Sequence, residues 1–265
     1  MPVDMAALAE DVAAESAVTR ALVAGLDEAG WHLATPAAGW DIADQISHLA
    51  YFDEVTVQSA VAPEEFLAAL AETEASGGVS PDKIAARFRD RTGAQLLVWF
   101  DVARAELLGT FKDIDPAARL PWFGPAMSAA SSLTARLMET WAHTQDIADT
   151  LGVTREPTAR LRHIAHIGIG ARGFSYAVHG KPAPCAPVRV ELIGPSGASW
   201  AWGPEDAGDR ITGPALDFCL LVTQRRHRDD VALSIEGLAA TEWMAIAQAF
   251  AGTAGIGRAP LAPGV

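Results

Sequence analysis

The sequence predicts a four-helix bundle followed by a small α+β domain, and three observations carry that expectation. Apolar residues recur at helical spacing through four long stretches of residues 1–152, separated by Gly- and Pro-bearing loops. Further on, short alternating strands are mixed with helices. The charge is also divided: residues 1–155 hold 23 Asp/Glu against 10 Lys/Arg, whereas residues 156–265 hold 10 of each. The whole net charge of −13 thus falls in the first part, as two separate modules would have it.

The first helix is expected in "MAALAEDVAAESAVTRALVAGLDEAG", with Leu8, Val12, Val18, Leu22 and Leu26 near helical spacing and Gly30 as its stop. Asp41 is an N-cap type for the second, "IADQISHLAYFDEVTVQSAV", with Asp44 in its first turn. Pro63 admits a short helix ended by Gly77 and Gly78. A third long helix is placed from Ser80–Pro81 to about Leu108, with Pro at the first helical position. A loop, "DPAARLPWFGPAMS", leads to a fourth over roughly 129–151, stopped by Gly152. Long amphipathic helices joined in this way make a bundle. The domain boundary is expected within 152–186, giving a bundle over 1–152 and, over 153–265, a linker helix with an α+β domain. In the latter, "VRVELI" and "ASWAW" read as strands about a "GPSG" turn, "RITGPALDFCLLVTQRRH" as a strand and helix, "VALSIEG" as a strand and "ATEWMAIAQAFAG" as a closing helix.

Composition narrows the function. Half the residues are hydrophobic, enough for a sizeable core. The acidic balance disfavours nucleic acid, which is held by clustered Lys and Arg. No apolar run approaches the roughly 20 residues of a membrane span, and the acidic N-terminal stretch lacks the order of a secretory signal. Two cysteines, Cys185 and Cys219, imply no disulfide framework. The expectation is a cytoplasmic protein, monomer or homodimer, whose partners are small molecules.

The chemistry gathers on two helices. Glu139 and His143 are four residues apart and project from one face, with Arg136 and Asp146 extending the polar stripe at spacings of three. His48, flanked by Ile46, Leu49 and Phe52, lies close to a face that should point into the bundle. Bundle metal sites are built from such inward side chains on facing helices. His48, Glu139 and His143 would form a two-His, one-carboxylate set, the chemistry of a catalytic zinc site with an open position or of an open iron site. Zinc is favoured because it needs no oxidant or redox partner. Spacing alone leaves a plainer reading open: Glu139 with His143 as a solvated helix contact, and His48 as a half-buried, hydrogen-bonded histidine. Asp44, one turn before His48, either pairs with it or orients it as a ligand.

At these residues the chain resembles a known family. "GWDIADQISHL" is similar to the W-x-x-x-D-x-x-x-H-L motif, and "RLMETWAHTQDIAD" to the E-x-x-x-H-x-x-D motif, of the mycothiol-dependent maleylpyruvate isomerases. Those enzymes belong to the DinB/YfiT-like metal-binding four-helix bundles. The stretch "VRVELIGPSG…WGP…RITGPALDFCLLVTQRR" resembles the sterol-carrier-like module they append. The chain is most similar to an actinobacterial branch of that group. The resemblance implies His48, Glu139 and His143 as ligands of Zn2+ or another divalent metal, and mycothiol as thiol cosubstrate. It implies an isomerase or S-transferase acting on a small electrophilic, anionic substrate. Arg136, Arg225 and Arg226 are the candidate cations for that anion, the last two because the family uses a C-terminal arginine. Their plainer reading is a basic helix end complementing the dipole. Two rival functions stand beside this one: a non-enzymatic, metal-containing ligand-binding protein, and a metal-dependent hydrolase.

Other motifs are set aside. "GIGARG" matches G-x-G-x-x-G but follows a helical stretch, without a βαβ unit. His163 and His166 have no facing ligand set, Cys219 reads as a small buried hydrophobe, and Cys185 has no activating neighbour. Trp122 and Phe123 either line a pocket mouth or cap the bundle core.

Overall fold

The computed structural model describes residues 3–261 apart from 76 and 79. The chain divides into two compact units, Met1–Arg155 and Glu156–Val265.

The first unit is built on four long helices: α1 (Met5–Val23), α3 (Ile42–Val61), α6 (Gly93–Phe111) and α7 (Ala129–Leu151). α3 packs on α6 and α7, and α1 packs on the same two, closing a ring of four. Side-chain pairs fix the directions. Gln45 meets His143 while Asp53 meets Arg136, so α3 and α7 are antiparallel. Thr19 meets Thr144 while Arg104 links Ser16 to Thr140, so α1 and α7 run together. Arg20 meets Asp101 while Ser16 meets Arg104, so α1 and α6 are antiparallel. It follows that α3 and α6 are parallel neighbours. Parallel helices cannot be joined by a tight turn, which is why 62–92 is long enough to return along the bundle, carrying α4 (Pro63–Ala75) and α5 (Pro81–Ala86).

Local chemistry sets the boundaries. Asp41 and Asp44 form a reciprocal capping box at the start of α3, as the sequence leads one to expect. Gly152 ends α7 in the left-handed conformation (φ 65°), which costs glycine nothing. Two expectations are corrected. The first helix stops at Val23, and Asp27 caps a separate turn, α2 (Glu28–Trp31). The third long helix is broken between Ala86 and Gly93, because Thr92 and Gln95 form their own capping box and start α6 afresh. A two-residue ladder, β1 (Arg119–Leu120) with β2 (Met127–Ser128), closes the loop before α7.

Among the described residues, three groups of buried apolar side chains build the core of this unit. One gathers Leu8, Val12, Leu107, Phe111 and Leu133. Another gathers Ile42, Ile46, Leu49, Leu96, Phe100 and Ile147. The third is largely aromatic, with Phe52 and Phe66 against Tyr51, Phe88, Trp122 and Phe123.

The second unit opens with α8 (Leu161–Gly170) and α9 (Arg172–Val178). A four-stranded sheet follows, ordered β4-β3-β5-β6: β3 (Val188–Ile193), β4 (Ser199–Trp202), β5 (Asp209–Pro214) and β6 (Ser234–Glu236). β3 pairs antiparallel with β4 and parallel with β5, and β5 pairs antiparallel with β6. Val188, Val190 and Leu192 alternate into the core. α10 (Ala215–Val222) and α11 (Leu238–Met244) cover the sheet. The closing helix is shorter than expected, because Gln248 N–H donates to Ser175 Oγ and Ala249 N–H to the Val222 carbonyl. Tertiary acceptors there replace the i−4 carbonyls. Among the described residues, no helix is long and apolar enough to cross a membrane.

Candidate metal centre

α3 and α7 face each other with their polar stripes turned inward. Glu139 and His143 share one face of α7, and α3 brings His48 against them. One ligand atom from each of the three lies within 4.8 Å of the others, and among the described residues they form the single such group of His, Cys, Asp or Glu. Glu139 Oε2 is 3.1 Å from His143 Nε2 and 3.7 Å from His48 Nε2. The two imidazole centroids are 4.4 Å apart. Both histidines are buried and Glu139 is half-buried. Burial, aided by the neighbouring His143, lowers the His48 pKa to about 4, so its ring is neutral near pH 7. Burial works against the Glu139 carboxylate, but hydrogen bonds from His143 and His48 outweigh it and hold the acid well below its usual range.

Aromatic rings wall the site. Trp40 stacks on His143 at 5.9 Å and tilts over His48 at 5.2 Å, and Phe52 packs on His48 at 4.6 Å. Trp40 is itself held by a 2.7 Å hydrogen bond from its indole N–H to Asp82. Phe123 joins Phe52 to Phe66, and Trp122 stacks on Phe66, so this loop pair packs on the aromatic core group.

Beneath the three residues lies a buried polar network that draws one or more side chains from each helix. Asp53 accepts from Arg104 Nε at 2.7 Å and from Arg136 Nε at 2.9 Å. Arg104 also donates to Ser16 and Thr140, and Arg136 to the Leu49 carbonyl. Asp53, Arg104 and Arg136 are 0, 4 and 3% exposed. Arg136 therefore stands one turn below Glu139 inside the helix core, engaged with Asp53 rather than extended to solvent. Arg225 and Arg226 follow α10 in the second unit, where Arg225 donates to the Thr223 carbonyl and Arg226 to the Arg225 carbonyl.

Several residues escaped the sequence reading. Asp44 does not bond His48; it binds Arg89, at 2.7 Å from Nη2. The partner of His143 is Gln45, whose Oε1 accepts from Nδ1–H. Its spacing of three before His48 on the same helix was the available signal. Asp53 and Arg104 gave none, because single charges within apolar helices do not announce a partner. In "GIGARG" the first glycine serves packing: a Cβ on Gly168 would lie 2.7 Å from Val222 Cγ2, so the bare backbone lets α8 approach α10, whereas Gly170 and Gly173 have open space around them.

Comparison with known proteins supports the fold. A family model described as "Mycothiol maleylpyruvate isomerase N-terminal domain" matches residues 12–148, and one described as "Wyosine base formation" matches residues 184–234. An uncharacterized protein of Mycobacterium tuberculosis, found in strains CDC 1551 and H37Rv, is 45% identical over 248 residues, covering 94% of this chain and 96% of the relative. Crystal structures of mycothiol-dependent maleylpyruvate isomerase and of a histidine-to-alanine mutant share the fold. Their TM-scores are 0.57 and 0.58 at 15 and 14% identity, over 88% of this chain and 93% of theirs. With the family model spanning more than half of its length and both motifs facing each other across the bundle, the chain belongs to the mycothiol maleylpyruvate isomerase N-terminal domain family.

Proposed function

We propose that this protein is a divalent-metal-binding, thiol-dependent isomerase or S-transferase, with mycothiol as the thiol and a small anionic electrophile as substrate. The observation that carries the reading is the facing set of His48, Glu139 and His143. Tetrahedral coordination at about 2.0–2.1 Å places neighbouring donor atoms roughly 3.3 Å apart. The 3.1 and 3.7 Å separations bracket that value. The donors, two imidazoles and a carboxylate, suit zinc and leave a coordination position open. A divalent ion held there would lower the pKa of a bound thiol and polarise a carbonyl.

The ion pairs beneath the three residues support an anionic partner. Asp53 and Glu139 are matched by Arg104 and Arg136, so these four groups sum to zero. A divalent cation held beside them would bring positive charge into a poorly hydrated place, which a thiolate would offset. Arg136 contributes positive potential at Glu139 without leaving Asp53. Trp40 and Phe52 shield the histidines from water, which strengthens every charge interaction at the site. The sterol-carrier-like reading of residues 153–265 belongs to the same proposal, as does an anion-holding role for Arg225 or Arg226.

The test is metal analysis before and after chelation, followed by assay with mycothiol or a surrogate thiol against enoyl acids, epoxides and amide conjugates. One zinc per chain is expected, lost in His143→Ala and retained in His163→Ala. Thiol-dependent turnover supports the reading; metal-dependent hydrolysis without thiol would replace it with a hydrolase. Arg226→Ala should raise KM for an anionic substrate, and an unchanged KM leaves Arg226 as a helix-end charge.

A further inference from the structure

Both ends of the Gln45 amide are committed, and this sets the proton position on His143. Gln45 is wholly buried. Its Nε2 donates to Thr35 Oγ1 at 2.9 Å, and Thr35 Oγ1 donates its single proton to the Trp40 carbonyl at 2.9 Å. A hydroxyl that spends its proton on a carbonyl presents only lone pairs to its other neighbour. The amide group facing Thr35 is therefore NH2, and the group facing His143 Nδ1 is the carbonyl oxygen. Nδ1 must then carry a proton, which makes Nε2 the nitrogen that faces Glu139, 3.1 Å away.

We propose that Thr35 and Gln45 form a positioning relay that holds His143 in the Nδ1–H tautomer, with Nε2 as its ligating nitrogen. The role of the relay, and an Nε2 lone pair free for a ligand, rest on the metal reading above, whereas the proton on Nδ1 does not. The relay begins in the segment between α2 and α3, where Ala34 bridges Asp41 and Thr35 N–H also donates to the Trp40 carbonyl. The same short segment thus supplies the hydroxyl that orients the amide and the indole that stacks on His143. His48 has no counterpart: its Nδ1 is buried without a hydrogen-bond partner. The two imidazoles are unequal, one fixed by a relay and one held by ring packing, so disturbing the relay acts through His143. Partners of this kind commonly contribute about 10- to 100-fold in metal affinity.

The experiment compares the full-length wild type with Gln45→Leu, Gln45→Glu and Thr35→Val. Zinc affinity is read by chelator competition, the Co2+ visible spectrum reports ligand geometry, and long-range 1H–15N spectra of the zinc-free protein report the tautomer. Gln45→Leu should weaken zinc by about 10- to 100-fold and shift the Co2+ bands. Gln45→Glu, which still accepts from Nδ1–H, should restore affinity to within a few-fold. Thr35→Val frees the amide to turn over, so it should mix the tautomers and weaken zinc by less than Gln45→Leu. Should Gln45→Leu fail to fold, Thr35→Val and Gln45→Glu carry the comparison. An Nε2–H tautomer in the wild type overturns the relay. Wild-type affinity and Co2+ spectra in Thr35→Val and folded Gln45→Leu overturn it too, as does equal loss in Gln45→Leu and Gln45→Glu. A wild type that shows the Nδ1–H tautomer yet binds no zinc upholds the lock and overturns the metal reading instead.

Discussion

Asp53 is the residue on which the bundle interior turns. It accepts from two buried guanidiniums, and burial already lowers the Arg104 pKa, with Asp53 acting against that shift. Removing its charge leaves two cations facing each other in a dry place. Asp53→Asn should therefore cost about 3–5 kcal/mol in urea unfolding, the range for breaking a buried pair from one side; a loss under 1 kcal/mol would mean water reaches the network. His48 gives a second prediction at this scale. Its folded pKa of about 4 lies below the unfolded value of 6.5, so the unfolded chain binds the proton first. Its contribution to stability is complete above pH 6.5 and is lost as pH falls toward 4. Denaturant titrations of chelated protein across that window should show less proton uptake on unfolding in His48→Asn, by up to one proton. Glu139 and His143 were legible because i, i+4 spacing states which residues share a face. Asp53 was not, and Gln45 showed only its place three residues before His48, because their partners come from other helices and from a loop, which spacing along one segment does not encode.

At the scale of elements, caps and glycines decided most boundaries. The Asp41 box, Pro81 in the first turn of α5 and the left-handed Gly152 were readable from residue type. The Thr92–Gln95 box was equally written in the sequence, and the helix was nonetheless expected to run through it, since apolar periodicity continues on both sides. Gly93 reinforces the break: a Cβ there would lie 2.3 Å from the Trp31 ring, and its N–H faces the Glu28 carboxylate. The contact of α8 with α10 makes a sharper test. Gly168→Ala should destabilise the protein by about 1–3 kcal/mol through overpacking on Val222, and Val222→Ala in the same chain should recover part of the loss. Equal stability of wild type and Gly168→Ala would show that α8 shifts without cost. The end of α11 was beyond sequence reasoning, because its carbonyl partners are exchanged for Ser175 and Val222, about 70 and 25 residues away along the chain.

Over the whole molecule, burial sorts the two thiols. Cys219 is fully buried and its thiol is pushed far up by desolvation, while Cys185 is exposed. A chromogenic thiol reagent at pH 8 should therefore count one cysteine in the native protein and two after denaturation; two at once would place Cys219 within reach of solvent. The charge division also belongs to this scale. A first unit of net −13 must gather positive charge locally if it is to meet an anion, and it does so by burying Arg104 and Arg136 against a single Asp53. By itself, the sequence determined the helical bundle with its α+β companion, the bundle's main caps, and the residue types that meet as the candidate metal set, because periodicity and capping are local properties of the chain. Only the tertiary structure decided that α3 and α6 run parallel, that Arg136 is committed to Asp53, and that Gln45 rather than Asp44 hydrogen-bonds a histidine of the set. Each of these depends on which helix faces which, and that is settled by packing the apolar faces together rather than by any one segment.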